Sequence, residues 1–194
     1  MSDALRTYDC GPTPAMPRLR HGIDVCSIER MAGVWRRHGR DFLCRVCTPT
    51  EIVDFDAIES RERQMEFLAG RFAAKEAAAK ALGTGLWSSG IGWRAFEVVR
   101  VPGGAPVMRL HGAAAELWRS LGGLEMAISI SHDAGIALAS CVCLLRGSDV
   151  AGVSDKSETC GTVSDESATC TTTSDESAAN ALDAFPAPPG DSRP

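Results

Sequence analysis

Apolar positions along the chain change their period several times, and each change marks an element. Ile23 and Val25 with their neighbours predict a short strand. Ser27 is placed to cap a helix running to about Arg40, with Met31, Val34 and Trp35 as its apolar stripe. Thr48-Pro49-Thr50-Glu51 opens a second, short helix. There Thr48 suits the N-cap, Pro49 the first helical position, and Glu51 completes a capping box. Residues 62–82 carry the longest helical pattern, rich in Ala, free of Pro and with Gly70 as its interior glycine. Gly83 stops it, and Gly85 follows two residues later.

Beyond this helix the pattern turns to strands. Residues 96–101 and 106–110 read as a hairpin joined by Pro102-Gly103-Gly104-Ala105. Residues 113–121 form a helix ended by Gly122-Gly123. Residues 126–131 and 136–144 are two more strands, separated by a turn at Asp133-Ala134-Gly135. The order is strand, three helices, hairpin, helix, two strands, which is α+β and not alternating βαβ. The expectation is one small domain over 18–146, with a long central helix packed on an antiparallel sheet. Residues 1–17, with Gly11, Pro12, Pro14 and Pro17, read as a loose N-terminal arm. Residues 147–194 repeat Ser-Asp-x-Ser units at 154–157, 164–167 and 174–177. Such segments bury too little apolar area to offset the entropy of ordering, so they read as a disordered acidic tail.

Composition narrows the classes. A length of 194 residues with 44 % hydrophobic side chains sustains one globular core. The longest uncharged apolar run, 134–145, falls short of the roughly 20 residues a membrane helix needs. Residues 1–17 lack a basic patch followed by an apolar stretch, so no secretory leader is expected. The eight cysteines then read as reduced thiols of a cytoplasmic protein, mostly small packing residues, with Cys44 and Cys47 a lone CxxC. The net charge of -5 is uneven: residues 18–146 hold 17 basic against 14 acidic side chains, and residues 147–194 hold 2 against 9. An excess of +3 in the domain is too weak to argue for nucleic acid. It suits an acidic protein or a phosphorylated small molecule.

Candidate chemistry gathers on the long helix. Leu68, Phe72, Glu76 and Lys80 follow one i, i+4 line, with Arg71 and Lys75 on the next. Glu76 and Lys80 have the favoured order for a helical ion pair, worth about 0.3–0.5 kcal/mol. Yet the chain has 17 Arg and only 3 Lys, and two of those Lys lie here, beside Gly83-Thr84-Gly85. A carboxylate flanked by cations next to a glycine-rich turn suits a metal-bound phosphate ester. Asp24, inside an apolar strand, must be exposed, paired or bound to a metal. His132, in Ser131-His132-Asp133, reads as a phosphate donor or a hydrogen-bonded structural residue. His21, His38 and His111 read as ordinary surface or helix-end residues. Arg30, Arg36, Arg37 and Arg40 on the first helix read as a solvated face or a docking surface for an acidic helix.

These residues fall into ordered blocks. Gly22-Ile23-Asp24-Val25 with Ile28-Glu29-Arg30 comes first, then Thr48-Pro49-Thr50-Glu51, then the stretch Glu66-Phe67-Leu68-Ala69-Gly70-Arg71-Phe72-Ala73-Ala74-Lys75-Glu76-Ala77. Lys80-Ala81-Leu82-Gly83-Thr84-Gly85 and Ser129-Ile130-Ser131-His132 complete the series. Together they resemble the holo-acyl-carrier-protein synthases, small 4'-phosphopantetheinyl transferases, over about residues 20–145. The resemblance implies a homotrimer with active sites between subunits, and transfer of phosphopantetheine from coenzyme A to a carrier-protein serine with release of 3',5'-ADP. It implies Asp24 and Glu76 as ligands of magnesium, with Lys80 neutralising the breaking pyrophosphate. Arg71, Lys75 and His132 would lie near coenzyme A phosphates, beside the turn at Gly83 and Gly85. Arg30, Arg36 and Arg37 would meet the acidic carrier. The serine proton would pass to Glu76 or to water on the metal.

Two positions depart from the family pattern: Ser27 stands where Glu is frequent, and Ile136 where an aromatic residue follows the Ser-His motif. Neither is a proposed metal ligand. The alternative class is a carrier- or coenzyme-A-binding module without catalysis, against which Asp24, Glu76 and Lys80 argue.

Overall fold

A long run of small and apolar residues, broken by a few buried charges, gives this protein its axis. The computed structural model describes residues 16–84 and 90–147. Its elements are β1 (Arg18–Ser27), α1 (Ile28–Val46), α2 (Pro49–Asp56), α3 (Arg61–Leu82), a 3-10 turn at Trp93–Ala95, β2 (Phe96–Val99), β3 (Val107–Leu110), α4 (Gly112–Ser120), β4 (Gly123–Asp133) and β5 (Ile136–Leu145). The order is the α+β one expected. The proposed arm (1–17) and tail (147–194) lie, but for their inner edges, outside the described residues, as does Gly85.

Helix α3 is the axis. The Ser60 hydroxyl accepts from the Arg63 N–H at its start, and Gly83 ends it in the left-handed conformation at φ 77°. Every residue from 67 to 79 is buried. A helix buried on all sides is one that neighbours surround. The neighbours are α1 and α2 on one side and a three-stranded antiparallel sheet, in the order β1-β5-β4, on the other. The strands reach α3 closely because both surfaces are small. Gly22, Asp24 and Cys26 of β1 and Ala137, Ala139, Cys141, Cys143 and Leu145 of β5 are the buried positions, all but the last of them small or short. A Cβ at Gly22 would sit 2.0 Å from the Ala77 carbonyl oxygen, so only glycine fits there.

The alternation in β1 runs against the usual sense. Asp24 points inward and is 5 % exposed, whereas Ile23 and Val25 point out. The short strand expected around Ile23 is ten residues long, paired with β5 along its whole length.

Helix α1 starts at Ser27 as expected, its hydroxyl accepting from the Arg30 N–H. It does not stop near Arg40. Gly39 leaves helical geometry (φ 47°, ψ -129°), and the chain then resumes as helix to Val46. Phe42, Leu43 and Val46 beyond the kink are fully buried, and this packing carries the helix on. Thr48 and Glu51 form the expected capping box of α2.

Glu51 does more than cap. Its Oε2 accepts from the Thr48 N–H at 2.8 Å and from Lys75 Nζ at 2.6 Å, and its Oε1 accepts from the Val98 N–H at 2.9 Å. One buried carboxylate thus ties α2, α3 and the β2–β3 hairpin together. A second, Glu97, accepts from Thr48 Oγ1 and Arg109 and lies 2.9 Å from His111 Nε2. His111 is therefore a hairpin tie, which corrects its reading as an ordinary surface residue. Among the described residues no helix is long and apolar enough to cross a membrane.

Gly22→Ala is expected to push β1 off α3 and to lower stability by about 1–3 kcal/mol. Urea unfolding measures this; an unchanged midpoint would show that the close approach is not a constraint.

Candidate active site

Strand β1 and helix α3 bring two carboxylates and one ammonium group together. Asp24 reaches inward from β1 because its neighbours Gly22 and Cys26 let the strand lie flat on the helix. Lys80, one turn beyond Glu76, closes on it: Nζ lies 3.1 Å from Asp24 Oδ1. The helical Glu76–Lys80 pair expected from spacing gives way to this contact between elements. Asp24 Oδ2 is buried with no hydrogen-bond partner among the described residues. Glu76, 7 % exposed, accepts at Oε1 from the Trp93 indole N–H at 3.0 Å.

The electrostatics follow from these contacts. Burial pushes the Asp24 carboxyl above its ordinary value, against the Lys80 hydrogen bond and charge that pull it down. Burial also raises Glu76; the Trp93 hydrogen bond opposes this and the charge of Asp24 adds to it. The two carboxylates therefore sense each other. Two negative groups share one lysine, itself a third exposed, in a place poor in water. A buried oxygen without a partner and a surplus of negative charge form a donor set that fits a cation.

Lys75 is not part of this group. It is completely buried, and its Nζ is spent on Glu51 Oε2 at 2.6 Å and the Val46 carbonyl at 2.8 Å. This corrects the expectation that it meets a bound phosphate: no ligand reaches an ammonium enclosed in the core. Arg71 is intermediate between the two roles. Its Nε lies 4.0 Å from Glu51 Oε1 and its guanidinium stacks on Phe67, with burial lowering its pKa. The same residue lines a cleft of about 540 Å³ together with Arg100, Ile130, His132 and the hairpin turn at Gly103 and Gly104.

The cleft and the carboxylate pair lie at different places on α3. From Arg71 to Glu76 and Lys80 the helix rises about 8 to 14 Å at 1.5 Å per residue. His132, exposed at the end of β4, lies on the helix at Gly70, where a Cβ would meet its Nε2 at 2.7 Å. Gly83 caps α3 one turn past Ala79 and packs near Arg20, whose Nη1 bonds the Leu82 carbonyl at 2.8 Å. On α1, Arg36 and Arg37 are exposed and Arg30 is half-buried near the Asp24 cluster, while Arg40 is held by Asp56 at 2.7 Å. Cys44 is exposed and Cys47 buried, so the CxxC spacing does not present both thiols to one ligand.

Two side chains of this site carried no signal in the sequence. Trp93 follows a glycine-rich stretch, and nothing local ties it to Glu76. Arg100 stands at the end of a predicted strand with no motif around it. A pattern of small residues at 22, 137 and 139 was the available sign that β1 and β5 press against a helix at Asp24.

Known proteins match this arrangement. The family model described as 4'-phosphopantetheinyl transferase superfamily matches residues 20–137. A holo-[acyl-carrier-protein] synthase of Koribacter versatilis is 45 % identical over 124 residues, which are 64 % of this chain and 96 % of that protein. The crystal structure of the corresponding synthase from Neisseria meningitidis superposes with a TM-score of 0.59 at 29 % identity, covering 64 % of this chain and 96 % of that one. The Helicobacter pylori synthase, solved in complex with coenzyme A, gives 0.55 at 32 % identity over 63 % and 98 % of the two chains. With the family model spanning more than half of its length, the chain belongs to the 4'-phosphopantetheinyl transferase superfamily, as an enzyme of the holo-[acyl-carrier-protein] synthase kind.

Proposed function

We propose that this enzyme transfers 4'-phosphopantetheine from coenzyme A to a serine of an acidic acyl carrier protein, releasing 3',5'-ADP, with magnesium as its cofactor. The observation that carries the metal part is the under-compensated pair: Asp24 and Glu76 face one lysine, and Asp24 Oδ2 is buried without a partner. Magnesium takes one or two carboxylates and fills its other positions with water and substrate phosphate oxygens. When bound, the ion supplies charge neutralisation at the pyrophosphate.

The chain's own residues do the rest by position. In the transfer, the bond from the carrier serine oxygen to phosphorus forms as the pyrophosphate P–O bond breaks. No nucleophile of this chain is needed. Lys80 is exposed enough to turn from Asp24 toward the leaving phosphate oxygens and meet the charge that grows there. Arg71, Arg100 and His132 line a separate cleft nearer the start of α3, whose two guanidinium groups suit the remaining phosphate of a long nucleotide. Arg36 and Arg37, with Arg30 beside them, offer the acidic carrier its surface.

The same reading makes the enzyme a cytoplasmic homotrimer with sites between subunits. Its support is the outer face of the sheet, where Leu19, Ile23, Val25, Leu138 and Val142 are 39–72 % exposed side by side on β1 and β5. An apolar face of that kind marks an interaction surface.

Three results test the proposal. An apo carrier protein incubated with coenzyme A, magnesium and this enzyme should gain the mass of one phosphopantetheine. Chelation or Glu76→Gln should prevent the gain, and a full gain with Glu76→Gln would remove that residue from the site. Glu76→Gln also copies the protonated form of a carboxyl that burial raises. A raised carboxyl contributes its stability below the ordinary value of 4.5 and loses it as pH rises through the folded-state value. The metal-free variant should therefore unfold at a higher temperature than wild type near neutral pH, and the difference should fade in acid; magnesium with coenzyme A should stabilise wild type alone. Finally, Leu138→Glu should yield a smaller species in sedimentation velocity, and wild-type sedimentation would discard the sheet face as a subunit contact.

A further inference from the structure

The site contains a side chain whose placement is too specific for packing alone. Trp93 lies in the 3-10 turn before β2 and is 2 % exposed. Its ring system meets Phe72 of α3 tilted at 47°, with centroids 5.5 Å apart, and Phe42 of α1 stands edge-on at 6.3 Å. Phe72 and Glu76 are four residues apart, so they stack on one face of α3. An indole packed against Phe72 is thereby brought beside Glu76, and its Nε1 reaches Glu76 Oε1 at 3.0 Å. The turn that carries it is fixed at both ends, by Ala95 N–H to the Gly92 carbonyl (3.0 Å) and His111 N–H to the Ala95 carbonyl (2.8 Å). Both partners of the bond therefore sit on rigid supports.

The chemistry of the donor matters as much as its place. An indole N–H only donates. It fixes a carboxylate oxygen without adding a positive charge that would repel a cation and without a basic atom that would compete for a proton. Lys80, which holds Asp24, lacks the first property. The two carboxylates are thus held by different means. Asp24 is held by a mobile charge that can leave, and Glu76 by a neutral donor that stays. With Oε1 tied to the indole, Glu76 has a preset orientation, and Oε2 is the oxygen that Trp93 leaves to a ligand.

We propose that Trp93 is a positioning residue for the cation site: its indole N–H holds Glu76 in the orientation that binds a divalent ion and the pyrophosphate of coenzyme A. The inference rests on the reading of Glu76 as a cation ligand, and its test separates the two. Mn2+ binding to the full-length protein in the presence of coenzyme A is followed by the paramagnetic resonance of free Mn2+. Trp93→Phe keeps an aromatic ring on Phe72 and removes the N–H. The Mn2+ dissociation constant should rise about tenfold, the scale of one hydrogen bond to a charged group, while KM for the carrier protein and the metal-free affinity for coenzyme A stay as in wild type. Unchanged Mn2+ affinity in Trp93→Phe, with binding lost in Glu76→Gln, would overturn the positioning role and leave the cation site standing. An equal loss of metal-free coenzyme A affinity would mark a merely structural tryptophan and overturn it as well. Intact Mn2+ binding in Glu76→Gln would overturn the reading of Glu76, and the role of Trp93 with it. Should Trp93→Phe fail to fold, the wild-type indole N–H resonance serves instead. It should move on adding Mg2+ with coenzyme A, and its position in the free protein should change in Glu76→Gln; a resonance indifferent to both would end the proposal.

Discussion

A helix surrounded by protein cannot carry an uncompensated charge, and α3 carries four ionisable side chains through its buried stretch and final turn. Arg71, Lys75 and Glu76 are each less than a tenth exposed, and Lys80 stands at the edge. Loss of hydration in such a place costs several kcal/mol per ion unless a partner replaces the water. The partners come from everywhere around the helix: Glu51 from α2, Val46 from the end of α1, Asp24 from β1 and Trp93 from the turn before β2. The surroundings of α3 are thus organised by its charges as well as by its apolar surface.

The compensation differs along the helix, and that difference separates scaffold from site. Around Lys75 it is complete. Glu51 accepts from the Thr48 and Val98 N–H groups and from the ammonium, so neither ion of the pair is left short. Removing one partner of such a pair typically costs about 3–5 kcal/mol, because the other is left buried alone. One turn further on it is incomplete. Asp24 and Glu76 bring two negative charges to one lysine, and Asp24 keeps an oxygen without a partner. The fold thus satisfies Lys75 fully and leaves hydrogen-bonding capacity open at Asp24 Oδ2 and at Arg71 Nε, the second beside the cleft, and incompletely paired buried charges of this kind are where ligands bind.

Much of this was legible in the sequence, for reasons that are local. The caps at Ser27 and Thr48 and the stop at Gly83 depend on residues within four positions of one another, and all three stand where they were expected. The ordered blocks at 22–25, 66–77 and 80–85 led to Asp24, Glu76 and Lys80, which the fold brings into one cluster. What failed was non-local. Spacing sets Lys80 beside Glu76 but is blind to Asp24, 56 positions earlier. It places Lys75 on an open helical line, because nothing near it announces Glu51 across the core. Helix α1 was cut short because Gly39 does leave helical geometry, and only the burial of Phe42, Leu43 and Val46 carries the helix past it.

Strand β1 shows why the misreadings gather near the site. Its alternation should hide Ile23 and Val25 and expose Asp24; the fold does the reverse. A one-residue slip of register would restore the usual sense, since it exchanges every side chain between the faces. Gly22 forbids that slip. The Ala77 carbonyl oxygen lies where a Cβ would be, so Ile23 or His21 cannot take its place against α3. Steric exclusion at one glycine therefore holds a carboxylate inside the protein and an apolar pair outside it. The buried Asp24 and the uncovered sheet face are two consequences of the same contact, which links the chemistry of the site to the surface on which a partner subunit would sit.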